Sequence, residues 1–246
     1  MSGAADQRDL YGDRADRTPV AGAAELDPFR RVLHALKWNS ILAAQRLQKG
    51  LWTFTFGGAS YPYLLHNYNR TYWNERAVEV PIVARVVERE RGAILEVGNV
   101  LGHYRRGSHD VLDKYEVAPG VINADVLDWS PGRRYELIVS ISTLEHVGWD
   151  ERRERDKVAR VVERIRTWLA PAGQAVVTWP LGYNPWIDAL IDTGTFAELG
   201  FLRRISADNR WAESDRDGIR GVAYGAPHPL GNAIAVATLR PPSFRA

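Results

Sequence analysis

The densest run of groups able to do chemistry is Tyr135-Glu-Leu-Ile-Val-Ser-Ile-Ser-Thr-Leu-Glu-His-Val147. Its apolar part, Leu137–Ile141, predicts a buried strand that delivers Ser142 and Thr143 to its carboxyl end, with Glu145 and His146 just beyond. Small side chains leave room for a ligand there, and a histidine beside them can serve as acid, base or hydrogen-bond partner. His146 is therefore the candidate catalytic group. A second run, Ala93-Ile-Leu-Glu-Val-Gly-Asn-Val-Leu-Gly102, reads as a strand entering a turn with Gly98 and Gly102, where bare backbone can approach a ligand. Asp113 and Asp125 close later strands; an ionised carboxylate is an acceptor with two oxygens to offer. His103 and His109 lie across a loop with no metal-ligand spacing, and no metal is expected. The chain has no cysteine, which excludes disulfides, thiolate metal sites and a cysteine nucleophile.

These groups need a sheet to gather them. Strands are predicted at 93–97, 111–113, 121–123, 137–142, 174–179 and 233–239, with helices over 75–90 and 152–169. Short apolar strands separated by helices or loops imply a mostly parallel sheet covered on both faces, and ligands of such sheets sit beyond the carboxyl strand ends where strand order reverses. Ahead of this core, residues 27–74 read as a cap. A helix starts at Asp27-Pro28 and carries Phe29, Val32, Leu33, Leu36, Ile41, Leu42 and Leu47 to Gly50, and two short extended runs succeed it around Gly57-Gly58. Residues 1–26 read as a disordered tail, and 75–246 as the core domain.

Composition narrows the function. The hydrophobic fraction of 45% and charged fraction of 25% fit a globular chain. Formal net charge is +2, acids are interspersed with the arginines, and no basic face for a phosphate backbone emerges, so nucleic acid is not an expected partner. The N-terminus lacks the apolar stretch of a signal peptide or a membrane span; the expectation is a cytoplasmic protein without a membrane partner. Nine Trp and ten Tyr exceed what a core of this size needs and can line a small-molecule pocket.

Three stretches resemble class I S-adenosylmethionine (SAM)-dependent methyltransferases. Glu96, Gly98 and Gly102 fall in register with that family's E-x-G-x-G-x-G motif, with Val100 in place of the middle glycine. The segment 135–147 resembles [FY]-D-L-[IV]-x-S-x-x-x-L-E-H-[VIL], with Glu136 for the usual Asp, and Leu169-Ala-Pro-Ala-Gly173 resembles the turn L-x-P-G-G. Gly98 to Tyr104 also matches a bacterial subgroup carrying a G-N-V-L-[SG]-H-Y loop. The resemblance spans about 75–240. It implies a Rossmann-like α/β fold, with a seven-stranded, mostly parallel sheet whose seventh strand is antiparallel, helices on both faces and an N-terminal extension. It implies SAM as cofactor, held by Glu96, Gly98, Asn99, Val100, Gly102, Asp113, Lys114, Asp125, Val126, Ser142 and Thr143. Within that set Asp113 would take the ribose hydroxyls, and Asp125 and the Val126 amide would take the adenine.

The segment His66–Glu75 precedes the core in the position that folds over the cofactor in related enzymes, so Tyr72, Asn74 and Arg76 are expected to approach the site. Tyr72, His146, Tyr183 and Asn184 are the expected substrate contacts. The expected reaction moves a methyl group to an oxygen or nitrogen of a small metabolite, of secondary or sugar type, with a homodimer left open. Two alternatives remain at this level. One is a non-catalytic binding protein on the same fold, which Val100 keeps alive. The other is an NAD(P)-dependent oxidoreductase, disfavoured because Gly98-x-x-x-Gly102 is not G-x-G-x-x-G and Asp113 arrives too soon.

Overall fold

The computed structural model describes residues 28–105, 107–150 and 152–242. The expected tail, 1–26, and the Asp27 cap lie outside the described residues. Helix α1 (Pro28–Lys49) leads into the hairpin β1 (Thr53–Phe56) and β2 (Ala59–Pro62), a 3-10 segment (Tyr68–Trp73) and helix α2 (Arg76–Arg89). The core then runs β3 (Ile94–Val97), β4 (Asp110–Asp113), β5 (Val121–Asn123), β6 (Tyr135–Ile141), α3 (Lys157–Trp168), β7 (Leu169–Pro180), α4 (Pro185–Ala189), β8 (Glu198–Arg204), β9 (Trp211–Ser214) and β10 (Ala233–Leu239).

The sheet order is β5-β4-β3-β6-β7-β10-β8-β9. The first five strands are parallel, and β10 is antiparallel to both its neighbours. This is a Rossmann-like sheet in the class I methyltransferase arrangement, its last strand inserted antiparallel. The chain moves outward from β3 to β5 and returns to β6 on the other side of β3, so the switch point lies between β3 and β6. The sheet has eight strands, not seven. The extra edge strand, β9, pairs with β8 and is tied to the hairpin arm: Trp211 N donates to the Tyr63 hydroxyl at 2.8 Å and Gly57 N to Glu213 Oε1 at 3.0 Å. Four residues with no alternating pattern gave it no signature in the sequence.

One sheet face packs on α3 and α4 through Val158, Val161, Val162, Ile165 and Ile187; the other packs on α2 and the hairpin through Phe54, Val78, Ile82 and Val83. Coverage stops short of the far edge. Between β3 and β6, among the described residues, the connections hold one 3-10 turn, Leu101–His103, and are otherwise loops. The link 114–120 is shorter than the dozen or so residues that a helical crossover takes.

Pro81 sits inside α2 and cannot donate to Ala77 O, its partner one turn back. That carbonyl instead accepts from Leu64 N at 2.9 Å, which fastens the arm to the core. Among the described residues, no helix is long and apolar enough to cross a membrane.

Candidate functional site at the carboxyl edge of the sheet

The ends of β3 and β6 meet at the switch point. Gly98 has φ +85°, and a Cβ there would collide with the Thr143 side chain. Ser142, a non-glycine residue, holds φ +37°, a conformation that persists only where surrounding structure enforces it. The strain is enforced from below. Ser142 Oγ lies 2.8 Å from both carboxylate oxygens of Glu79, and the Arg76 guanidinium donates to Ile141 O (2.8 Å) and Ser142 O (3.1 Å). Arg76 therefore reaches the sheet edge, where it was expected. Burial pushes the Glu79 carboxyl up to about 7, against the pull of Arg76. The Tyr104 hydroxyl is buried, and burial raises its pKa although Arg76 draws it down.

Several residues expected to touch a cofactor hold the loops instead. Glu96 is fully buried; its Oε1 accepts from Val100 N (2.8 Å) and Leu101 N (2.7 Å), and its Oε2 lies 2.8 Å from His109 Nε2. It supports the turn from beneath and does not line the cleft, a correction that rests on its burial. The Val100 side chain packs against the α2-side core, so it does not fill the space above the turn. A Cβ at Gly102 would collide with Asn99 Oδ1. Val126 turns its side chain into the opposite core.

Asp113 joins two loops. Its Oδ2 accepts from Asn99 N (3.0 Å) and its Oδ1 from Tyr115 N and Glu116 N (both 2.8 Å). A carboxylate has about four lone-pair sites, so Asp113 retains little acceptor capacity. Glu116, which no motif singles out in the sequence, is the second acid at this edge. It accepts from Asn99 Nδ2 at 2.8 Å and lies 3.4 Å from His103 Nε2. Asp125 is engaged by Leu127 N (3.0 Å), Lys157 Nζ (3.0 Å) and Lys114 Nζ (3.2 Å). Burial works against its ionisation, but these donors outweigh burial and hold the carboxyl below its ordinary range.

The segment ahead of α2 covers this edge. Tyr68 stacks on His103 with ring centroids 4.2 Å apart and meets Tyr104 edge-on at 5.5 Å. Asn69 and Arg70 both adopt left-handed backbone, at φ 52° and 46°. Asn74 fixes the bend, donating to Asn69 O (2.6 Å) and accepting from Arg76 N (3.0 Å). Tyr72 was expected to meet substrate, but it is buried beneath the arm against Trp73, and its hydroxyl has no hydrogen-bond partner.

Beyond β6, His146 Nδ1 lies 2.7 Å from Asp150 Oδ2 and its Nε2 3.2 Å from Glu145 Oε1. Tyr183 donates its hydroxyl to Asp150 at 2.8 Å and sets its ring edge-on to His146 (5.0 Å) and Tyr224 (4.9 Å). Both ring nitrogens of His146 face carboxylate oxygens, an arrangement satisfied in full only by the doubly protonated ring. To accept a proton, Nε2 must first give up Glu145. Asp150 was not foreseen, although it stands one helical turn after His146 in the sequence. Asn184 was expected to bind substrate; it is fully buried, donates to Glu145 O (2.9 Å) and caps α4 by accepting from Trp186 N (2.9 Å). A surface hollow of about 570 Å³ lined by Gly92, Ser108, His109 and Arg133 opens at the amino ends of β3 and β4, the opposite edge from these groups.

No protein-family model matches the chain, and no curated protein matches it. Among solved structures it is similar to the N-methyltransferase NodS from Bradyrhizobium japonicum in complex with S-adenosyl-L-homocysteine, at 15% identity and TM-score 0.44, over 69% of this chain and 88% of that one. It is also similar to a TehB-like SAM-dependent methyltransferase from Corynebacterium glutamicum, at 16% identity and TM-score 0.39, over 88% of this chain and all (100%) of that one. A third likeness is to a SAM-dependent methyltransferase from Thermotoga maritima described as a possible histamine N-methyltransferase, at 10% identity and TM-score 0.40, over 66% and 87%. Likenesses this distant carry no argument about activity.

Proposed function

We propose that the chain is a SAM-dependent methyltransferase acting on an oxygen or nitrogen of a small metabolite, with 27–74 as a cap over a core of 75–246. The turn after β3 carries this reading. A dinucleotide pyrophosphate needs open amides at a helix N-terminus. Here the turn is a three-residue 3-10 segment, and the Val100 and Leu101 amides are already taken by Glu96. The edge suits a cofactor without phosphates.

The remaining groups at the edge fit SAM by charge and donor type. Glu116, with the one acceptor site left on Asp113, supplies acceptors for ribose hydroxyls, and Asp125 supplies one for the adenine amino group once Lys114 yields. Arg76 and the buried Tyr104 hydroxyl are donors suited to a carboxylate. SAM would supply a sulfonium methyl that bonds to the acceptor's lone pair in line as the methyl–sulfur bond breaks and S-adenosylhomocysteine leaves. The chain's own task is then alignment and exclusion of water. Asp150 holds Nδ1 of His146, and Nε2, once it releases Glu145, takes the acceptor's proton where the acceptor carries one. Tyr183 braces Asp150 from the far side.

Calorimetric titration with SAM and with S-adenosylhomocysteine tests the reading. Micromolar binding by the wild type, weakened about tenfold or more in Asp113→Ala and in Glu116→Gln, is the expected result. No heat with either ligand would remove the cofactor and return the non-catalytic alternative to first place.

A further inference from the structure

Helix α1 is oriented the wrong way round for a surface helix. Its body side carries polar and aromatic contacts beside the half-buried Ile41 and Leu42: Lys49 Nζ donates to Asp208 O at 2.7 Å, and Trp38 lies between Trp73 (6.1 Å) and the Arg70 guanidinium (3.7 Å). At 100° per residue, Phe29, Val32, Leu33, Leu36, Ala43 and Leu47 fall in one arc of about 100° on the other side, with Ser40 the one polar residue among them. That arc faces solvent. Phe29 is 70% exposed, Leu36 58% and Leu47 90%, and Leu51 just past the helix is 97% exposed. The stripe is about 27 Å long at 1.5 Å per residue. Exposed apolar residues scattered singly need no explanation, whereas six of them along one side of a helix ask for a cover.

The charges choose the cover. Lys37 borders the stripe on one side and Arg46 on the other, both exposed, and the helix contains no Asp or Glu. A second copy of the same face would set cations against cations with no acid in the helix to pair them. An anionic lipid surface complements both features at once, with headgroups against the bordering cations and the stripe in the acyl boundary. We propose that α1 is an interfacial helix that docks the protein on anionic membranes, lying in the surface plane.

The test is co-sedimentation of the full chain with vesicles of phosphatidylcholine alone or mixed with phosphatidylglycerol. The wild type should pellet with the mixed vesicles, stay in the supernatant with phosphatidylcholine alone, and be released as salt is raised. The double substitution Leu33→Asp, Leu36→Asp lies on exposed positions, should leave thermal unfolding unchanged, and should weaken vesicle binding about tenfold or more. A wild type that ignores both vesicles overturns the proposal, as does a double variant that binds as well as wild type. So does a wild-type dimer in sedimentation equilibrium that the double variant dissolves, because the stripe would then be the interface between two copies.

Discussion

At the scale of single residues, the carboxyl edge separates groups that do chemistry from groups that hold the chain. Asp150 belongs beside His146 because a carboxylate on Nδ1 fixes both tautomer and ring plane. His146→Gln should lower kcat by roughly 10²–10⁴-fold. Asp150→Asn should cost a smaller part of that while leaving the KM for SAM unchanged; equal losses in kcat and SAM affinity would mean that Asp150 only props up the loop. Glu79 makes a prediction of its own. Its carboxyl is held at about 7 in the fold against an ordinary 4.5, so the folded state keeps a proton that the unfolded chain releases. Stability should fall as pH rises from 4.5 to about 7 and level off above, as the buried group is forced to ionise. Denaturant unfolding of Glu79→Gln across this window should show that slope flattened; an unchanged slope would place the titration elsewhere.

At the scale of elements, legibility tracked burial periodicity. The strand Tyr135–Ile141 and helix Lys157–Trp168 announced themselves because their apolar spacing is the spacing of the faces they bury. The connections from β3 to β6 gave no such signal. Their residues make turns whose backbone is satisfied by acids on the strands that enter them, as Glu96 and Asp113 do, and periodicity does not report that. The same reason misdirected the site. An acid at a strand end looks alike in sequence whether its oxygens face a ligand or backbone amides, and Asn184 looks alike as a substrate contact or a helix cap. The arm was legible as an extension; its fastening was not, since it rests on single bonds. Thr71 Oγ1 donates to Leu64 O (2.6 Å) and accepts from His66 N (2.9 Å). Thr71→Val leaves both groups unmatched and should cost about 1–3 kcal/mol in denaturant unfolding. A loss well below that would mean water takes over both bonds.

At the scale of the whole molecule, the arm and the sheet share one apolar core. Phe54 of β1 stacks on Tyr61 at 5.4 Å and lies in the same buried cluster as Val83 of α2, Val139 of β6 and Val236 of β10. A hairpin of two strands has little stability alone. Held by this cluster, by the Leu64–Ala77 hydrogen bond and by the Tyr63–Trp211 bond, the hairpin has no core of its own to melt around. The arm and the 75–246 core should therefore unfold together, although they read as separate regions in the sequence. Phe54→Ala removes a buried aromatic at the join and should cost about 3–5 kcal/mol. Tryptophan fluorescence senses both regions, because Trp38, Trp52 and Trp73 lie in the arm and Trp129, Trp168 and Trp179 in the core. Fluorescence and far-UV circular dichroism should trace one coincident transition in the wild type, moved as a whole by Phe54→Ala. Two transitions, with only the earlier one moved by the substitution, would instead make the arm an independently folding cap and leave the sheet stable without it.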